Sequence, residues 1–186
     1  MVTIIAEIGV NHDGSGDKAK RLIDAARNAG ASACKFQMFN SQHLWGDDRI
    51  AHLELSEAQM IVLSDHAKNA GIEFLCTPFG VAEVHFLAPL VKRMKIASGC
   101  IDRYDLLAAV RKTRLPVILS TGMSDLDDIR LALKHLGPNV TLLHCTSSYP
   151  CPLNAVNLKA IDTLRMFHLP VGYSDHTASI VVPIAA

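Results

Sequence analysis

The chain has 186 residues, of which 49% are hydrophobic, so it is long and apolar enough to bury a substantial core as one globular domain. Its 18 basic and 18 acidic side chains cancel and no Lys/Arg block stands out, which excludes nucleic acid and anionic membranes as expected partners. With no basic leader and no apolar run near the roughly 20 residues that span a bilayer, the sequence predicts a soluble, cytoplasmic protein.

Short apolar segments alternate with helical patterns along the whole chain. Strands are predicted at Ile4–Ile8, Ser32–Phe36, Ile72–Cys76, Arg93–Ala97, Pro116–Leu119, Val140–Leu143 and Pro170–Tyr173. Helices are predicted at Asp17–Ala29, Ser56–Ala70, Val81–Leu90, Tyr104–Arg111, from Ser124-Asp125 to Gly137, and at Leu158–Met166, with a polar linker around Trp45–Arg49. Such alternation is typical of repeated βαβ units and a parallel sheet.

Two architectures match this alternation, a (β/α)8 barrel and an open doubly wound sheet. No G-x-G-x-x-G motif follows the first strand, and polar residues follow nearly every strand instead of one switch point, which favours the barrel. A closed barrel needs eight strands and the sequence supplies seven. We therefore predict an α/β fold, an incomplete (β/α)8 TIM barrel over residues 1–186, which is either a fragment or completed by another copy.

Five scattered cysteines form no C-x-x-C pair, and several lie in or beside apolar runs where small thiols pack. They are Cys34, Cys76, Cys100, Cys145 and Cys151. We expect them to be structural.

Polar side chains collect at the strand ends, where barrel enzymes place their catalytic groups. An unpaired ammonium buried at the end of an apolar strand is costly, so Lys35 and Lys95 indicate a site for an anionic, oxygen-rich substrate. Their alternative role is a structural salt bridge or that of a surface lysine whose stem is buried and whose ammonium reaches water. Glu7 interrupts an apolar strand, which indicates acid/base work or hydroxyl binding unless a cation pairs with it.

His176, beside Asp175, has three candidate roles: a metal ligand, a proton-transfer group or a helix cap. Neither H-x-x-H nor H-E-x-x-H spacing is present, and His144 is the one partner that the spacing offers.

Seven strand-end motifs occur in order: AEIGVNHDG, CKFQ, CTPF, KIASG, ILSTGM, LLHCTSSYP and GYSDHT. Together they closely resemble the motifs of the sialic acid synthase family, which comprises N-acetylneuraminate synthase and its legionaminate, pseudaminate and spore-coat relatives. The resemblance runs from about Ile4 to the last residue.

The resemblance implies a (β/α)8 barrel that condenses phosphoenolpyruvate with an N-acetylated hexosamine such as N-acetylmannosamine, forming a nonulosonic acid and releasing phosphate. It implies a divalent metal, Mn2+ or Mg2+, with His176 as a ligand, and Glu7 and His176 as catalytic residues. The implied phosphoenolpyruvate-binding residues are Lys35, Thr77, Lys95, Ser98, Ser120 and Ser174. The implied sugar-binding residues are Glu7, Gln37 and Tyr149, and Ser147 is a further substrate-binding position.

The sequence departs from the family pattern at several points. Cys100 stands where the family usually has Glu, Ser147 stands where a relative can have Asn, and the linker before Ser56 is shorter than usual. The family's second metal-binding histidine, at the eighth strand, and its C-terminal antifreeze-like domain have no counterpart in these residues. We expect weak or no turnover, with phosphoenolpyruvate binding retained.

Two other functions stay open. One is a catalytically impaired fragment that binds ligand or associates through its open sheet edge. The other is a related barrel enzyme that uses phosphoenolpyruvate with a different aldose. The oligomeric state, a homodimer included, is open as well.

Overall fold

The computed structural model describes residues 2–186, which divide into two compact units, one ending at Met94 and one spanning Lys95–Ala186. The strands are β1 (Ile5–Gly9), β2 (Ala33–Met38), β3 (Glu73–Pro78), β4 (Met94–Ile96), β5 (Val117–Ser120), β6 (Val140–His144) and β7 (Val171–Tyr173). The α-helices are α1 (Gly16–Asn28), α2 (Ser41–Trp45), α3 (Glu57–Ala70), α4 (Val81–Leu87), α5 (Tyr104–Lys112), α6 (Leu126–Leu136), α7 (Ala160–Leu164) and α8 (Val181–Ala185).

Strand order follows chain order in both sheets. In the first unit the order is β1-β2-β3, and both neighbouring pairs are parallel. The second sheet has the order β4-β5-β6-β7, in which β5–β6 and β6–β7 are parallel. Sequential order is that of a barrel, whereas a doubly wound sheet reverses its order at a switch point. The predicted α/β class with parallel strands is confirmed, while closure into an incomplete barrel stays a prediction.

Helix boundaries follow from capping side chains. Ser56 and Gln59 form a capping box at the start of α3, and Gly71 ends that helix with a φ of 73°. Asp125 accepts hydrogen bonds from two backbone N–H groups at the start of α6, and Gly137 follows its last turn. These start and stop residues lie where the sequence predicts them.

Three differences between the prediction and the structure concern helices. The polar linker contains α2, because the Asn40 side chain accepts a hydrogen bond from the His43 N–H at 3.0 Å and caps a short helix. Helix α4 ends at Leu87 rather than Leu90, consistent with Pro89, which has no N–H to donate. The helix predicted over Leu158–Met166 is α7 followed by a 3₁₀ turn.

Each unit has its own apolar core, to which the helices contribute buried residues at helical spacing. Helix α1 buries Ala19, Ile23 and Ala26, and it packs against α3 in the first unit. In the second unit α5 and α6 pack together through residues such as Leu106 and Ile129. No helix within residues 2–186 has the combination of length and apolar character needed to cross a membrane.

Candidate functional site

Four predicted site residues of the first unit lie on one face of its sheet. Side chains alternate between faces along a strand, so Lys35 and Gln37 share a face of β2. Glu7 is the register partner of Lys35, and Thr77 is the register partner of Gln37. Neighbours in register point to the same side, so the sheet brings Glu7, Lys35, Gln37 and Thr77 together. We call these four residues the first cluster.

An ion pair dominates the first cluster. Lys35 is 9% exposed, and its Nζ contacts the Glu7 carboxylate and donates to Thr77 Oγ1 at 3.4 Å. The Glu7 side chain is 48% exposed, so water reaches the carboxylate but not most of the lysine. The structural salt bridge, the alternative for Lys35 in the sequence, is therefore present. It also supplies the cation that a carboxylate in an apolar strand requires.

Gly9 allows this pair to sit close to the backbone. Its φ is +55°, in the left-handed region, and the strand pairing is irregular between Glu7 and Gly9. A Cβ atom at Gly9 would lie 3.1 Å from Glu7 Oε1 and 3.4 Å from Gln37 Nε2. The glycine therefore leaves room for both polar groups.

The second unit carries the other buried lysine. Lys95, on β4, is 5% exposed and donates to Ser120 Oγ at 2.6 Å and to the Ile96 carbonyl at 2.7 Å. Ser120 is the last residue of β5 and is 4% exposed. This arrangement holds an ammonium and a hydroxyl together at the ends of two strands that are neighbours in the sheet.

Beside this pair, the exit loop of β5 packs tightly against two hydroxyls and a thiol. The Gly122 N–H donates to Ser98 Oγ at 3.0 Å, and Ser98 Oγ lies 3.1 Å from Cys145 Sγ. A Cβ at Gly122 would lie 2.4 Å from Ser147 Oγ and 2.9 Å from Cys145 Sγ. The sequence predicts Ser98 and Ser147 as site residues but assigns Cys145 a purely structural role. Its position directly after His144, in a strand-end motif, was the available signal for contact with the site.

Tyr149 and His176, which the sequence predicts separately as site residues, contact each other in the structure. Their rings lie 4.1 Å apart, and Tyr149 Oη is 3.1 Å from His176 Nε2. His176 Nδ1 lies 2.7 Å from the Thr146 carbonyl, which only accepts hydrogen bonds, so Nδ1 carries the proton. Nε2 is then the acceptor for the Tyr149 hydroxyl.

These residues do not by themselves fit a metal site. Within residues 2–186 no group of three or more His, Cys, Asp or Glu side chains could hold a metal ion. His144, the other histidine that the spacing offers, donates its Nε2–H to the Val156 carbonyl at 2.8 Å and packs against Tyr173. His176 as a metal ligand therefore stays a prediction.

Ser174 lies in the loop that Asp175 organises. Asp175 Oδ1 accepts hydrogen bonds from Tyr173 Oη at 3.1 Å and from the Thr177 N–H at 3.0 Å. Burial, followed by the bond to this carboxylate, raises the pKa of the Tyr173 phenol above its ordinary value. The Ser174 N–H donates to the His144 carbonyl at 2.8 Å, which fixes the loop to β6.

Parallel α/β units with polar groups at the carboxyl ends of their strands are typical of enzymes that bind small molecules there. The family model described as NeuB family matches residues 22–186, and the chain belongs to that family. The family resemblance of the seven motifs is thereby confirmed.

Individual relatives agree with this assignment. The chain is 44% identical to an uncharacterized protein of Methanocaldococcus jannaschii over 98% of the chain and 58% of that protein. It is 42% identical to the N,N'-diacetyllegionaminic acid synthase of Legionella pneumophila over 98% of the chain and 60% of that enzyme. The chain thus spans about three fifths of the length of these curated relatives.

A solved structure gives the same result. The N-acetylneuraminic acid synthetase of Leptospira borgpetersenii, solved in complex with citrate, superposes with a TM-score of 0.95 at 36% identity. The match covers 99% of this chain and 68% of that one.

Proposed function

We propose that this chain carries the synthase chemistry of its family: condensation of phosphoenolpyruvate with an N-acetylated hexosamine, N-acetylmannosamine-like, to give a nonulosonic acid and phosphate. The observation that carries the proposal is the buried Lys95 ammonium, hydrogen-bonded to Ser120 at a strand end. Relatives named as legionaminic acid and N-acetylneuraminate-9-phosphate synthases support the reaction class. The proposal includes the incomplete (β/α)8 barrel over residues 1–186.

Lys95, Ser98 and Ser120 supply donors for the phosphoenolpyruvate anion. A lysine ammonium has three donors and a serine hydroxyl has one, so this group can hold several phosphate or carboxylate oxygens. Charge-assisted hydrogen bonds of this kind are about twice as strong as neutral ones. Ser174 has the same binding role, and Thr77 assists Lys35 in the first cluster.

The proposed reaction forms one carbon–carbon bond, and at C2 it forms a carbon–oxygen bond to water and breaks the carbon–oxygen bond to phosphate. The C3 carbon of phosphoenolpyruvate attacks the aldehyde carbon of the open-chain sugar, and the aldehyde oxygen becomes a hydroxyl. Water adds to the cationic C2 carbon and loses one proton, and phosphate then leaves from C2 as the hydroxyl that remains becomes the C2 carbonyl and gives its proton to the departing phosphate. The proton that water loses balances the proton that the aldehyde oxygen gains, and we assign this transfer to Glu7.

The remaining predicted residues hold the sugar in this proposal. Gln37 offers an amide beside Glu7, and Ser147 offers a hydroxyl. Tyr149 and His176 share one hydrogen bond, so the pair presents a phenol and an imidazole whose orientation the Thr146 carbonyl fixes. All five cysteines are free thiols in the structure, which is consistent with the cytoplasmic location that we propose.

The test is phosphate release from phosphoenolpyruvate, measured in Mn2+ buffer with and without N-acetylmannosamine. Sugar-dependent release supports the synthase, and release with another aldose instead identifies the related enzyme. No release, together with phosphoenolpyruvate protection against heat, identifies a binding fragment. If there is no phosphate release and no protection against heat, the assignment of Lys95 and Ser120 is refuted.

A variant pair locates the binding to the buried lysine. Lys95→Met keeps the apolar stem and removes the ammonium. The control, Lys92→Met, removes the ammonium of an exposed lysine three residues earlier in the chain. Hydrogen bonds to charged groups contribute about 1.5–3 kcal/mol. We therefore expect phosphoenolpyruvate affinity to fall roughly tenfold to a hundredfold in Lys95→Met. Lys92→Met should be unaffected, and equal losses would contradict the assignment.

A further inference from the structure

A cavity of about 570 Å³ in the second unit is lined almost entirely by basic side chains. We call it the basic cavity, and its lining residues are Ala108, Arg111, Lys112, Arg114, Lys134 and His135. The basic groups come from the ends of α5 and α6 and from the turn after α5. Its volume is within the range of 300–1,000 Å³ that is usual for small-molecule sites.

The carbonyl end of a helix attracts cations, and Arg111 shows this directly because its side chain bonds to carbonyl groups of the last turn of α6. Arg111 Nη1 donates to the Lys134 carbonyl at 3.0 Å and to the His135 carbonyl at 3.4 Å. Its guanidinium also lies beside Gly137, where a Cβ would be 3.7 Å from Cζ. Arg111 is therefore held in one orientation at the edge of the cavity.

Lys112 in the last turn of α5, and Lys134 and His135 in the last turn of α6, also lie at carbonyl ends, whereas Arg114, beyond the end of α5, has no such explanation. At the end of α5 the Val110 carbonyl accepts a hydrogen bond from the Thr113 hydroxyl at 2.7 Å, so a neutral group serves this helix terminus. No ion pair within residues 2–186 involves Lys112, Arg114 or Lys134. The sequence also has no Asp or Glu over residues 106–124 or 129–161, which contain every lining residue. The positive charge of the cavity is therefore uncompensated by its own segments.

The turn that presents Arg114 is rigid and strained. Arg114 has a φ of 59°, a left-handed conformation that costs a non-glycine residue of order 1–3 kcal/mol. The Thr113 hydroxyl accepts the Leu115 N–H at 3.2 Å, and the Arg114 N–H donates to the Arg111 carbonyl at 3.1 Å. Glycine or asparagine would adopt this conformation more readily, yet an arginine occupies the position.

One lining residue of the basic cavity, His135, forms an aromatic pair with Tyr104. The rings of Tyr104 and His135 stack at 4.7 Å with an interplanar angle of 19°. Tyr104 is 41% exposed, so part of its ring is accessible next to the basic groups. A planar ring and several cations side by side match a ligand that carries phosphates and an aromatic group.

We propose that the basic cavity binds a small anion bearing two or more phosphate groups, as inorganic pyrophosphate or as a nucleotide. Arg111 and Arg114 provide planar donor pairs for phosphate oxygens, and Lys112 and Lys134 add charge. This site uses none of the residues assigned to phosphoenolpyruvate or the sugar.

Binding of pyrophosphate, measured by calorimetry on the full 186-residue chain in the Lys95→Met background, tests the proposal independently of the synthase assignment. The key variant is Arg114→Asn, because asparagine tolerates the left-handed φ and the variant should fold at least as well. We expect at least a fivefold weaker pyrophosphate affinity, and at least twentyfold in Lys112→Gln/Arg114→Asn. The matched control is Lys68→Gln, which removes an exposed lysine from the last turn of α3 and should change affinity less than twofold.

Comparison with ADP separates the two sources of phosphate. Tighter binding of ADP that Tyr104→Ala selectively weakens identifies a nucleotide, and equal affinities identify the phosphate groups alone as the ligand. The proposal is wrong if millimolar pyrophosphate does not bind, or if Lys68→Gln weakens binding as much as Arg114→Asn. Tighter binding of a short DNA duplex than of pyrophosphate would overturn it in favour of a nucleic-acid surface.

Discussion

The substitution Gly122→Ala tests whether tight packing at the end of β5 maintains the proposed anion site. The Gly122 backbone N–H donates to Ser98 Oγ, and the space above its Cα is filled by Ser147 and Cys145. Gly122→Ala would place a methyl group 2.4 Å, 2.9 Å and 3.0 Å from Ser147 Oγ, Cys145 Sγ and Ser98 Oγ. Carbon atoms do not approach heavy atoms more closely than 3.0 Å, so Ser147 and Cys145 must move, and Ser98 must give way slightly.

The size of the effect follows from these three contacts. Inserting a methyl group into a packed region typically costs about 1–3 kcal/mol. For a chain of this length each 1 kcal/mol lowers the melting temperature by roughly 2–4 °C, so we expect a decrease of about 2–12 °C. Displacement of Ser98 should also weaken phosphoenolpyruvate binding.

Gly99→Ala is the matched control, because a Cβ there meets only the flexible end of Met123 at 4.0 Å. Thermal unfolding with and without phosphoenolpyruvate measures both effects. Adding Ser147→Gly to Gly122→Ala removes the nearest atom and should restore part of the stability. If Gly122→Ala unfolds within 1 °C of Gly99→Ala and binds phosphoenolpyruvate equally well, the packing argument fails.

Three further predictions concern single buried groups. Glu7→Gln leaves the buried Lys35 ammonium without its carboxylate and should lower the free energy of unfolding by about 1–3 kcal/mol. Lys35→Met leaves a hydrated carboxylate and should cost less. Equal losses of the two variants in urea titrations would contradict this. Burial lowers the pKa of His12, so protonation favours the unfolded chain, and the free energy of unfolding should fall as the pH drops below about 6.5. In urea titrations between pH 7.5 and pH 5, His12→Gln should make this fall smaller. Burial raises the pKa of Cys34 to about 12 and that of Cys76 higher still, so iodoacetamide at pH 8 should label neither thiol until urea unfolds the chain, as read by mass spectrometry.

The strand positions could be predicted from the sequence because each short apolar run ends at a polar loop. The predicted strand Val140–Leu143 is one residue shorter than β6, and Ser56 begins α3 as its capping pattern indicates. Helix α2 was missed because its five residues have no apolar period, and the Asn40 cap alone is a weak signal.

The sequence predicts that side chains from different strands lie at the same edge of a sheet, but it does not predict which of them touch. The sequence placed Ser98 at that edge, but its contacts with Gly122 and Cys145 depend on the packing of separate exit loops. The basic cavity was missed for a similar reason. Three of its basic residues are close together in the sequence, namely Arg111, Lys112 and Arg114. Lys134 joins them only because α5 packs against α6.

One of the two buried lysines, Lys35, makes a contact that bears on the reaction. Its ammonium pairs with the Glu7 carboxylate. An anion that binds Lys35 competes with Glu7 for the same ammonium. Substrate binding in the proposed synthase would therefore weaken the hold of Lys35 on Glu7, because one cation then serves two anions. The carboxylate that we assign to proton transfer would thus become available when the substrate arrives.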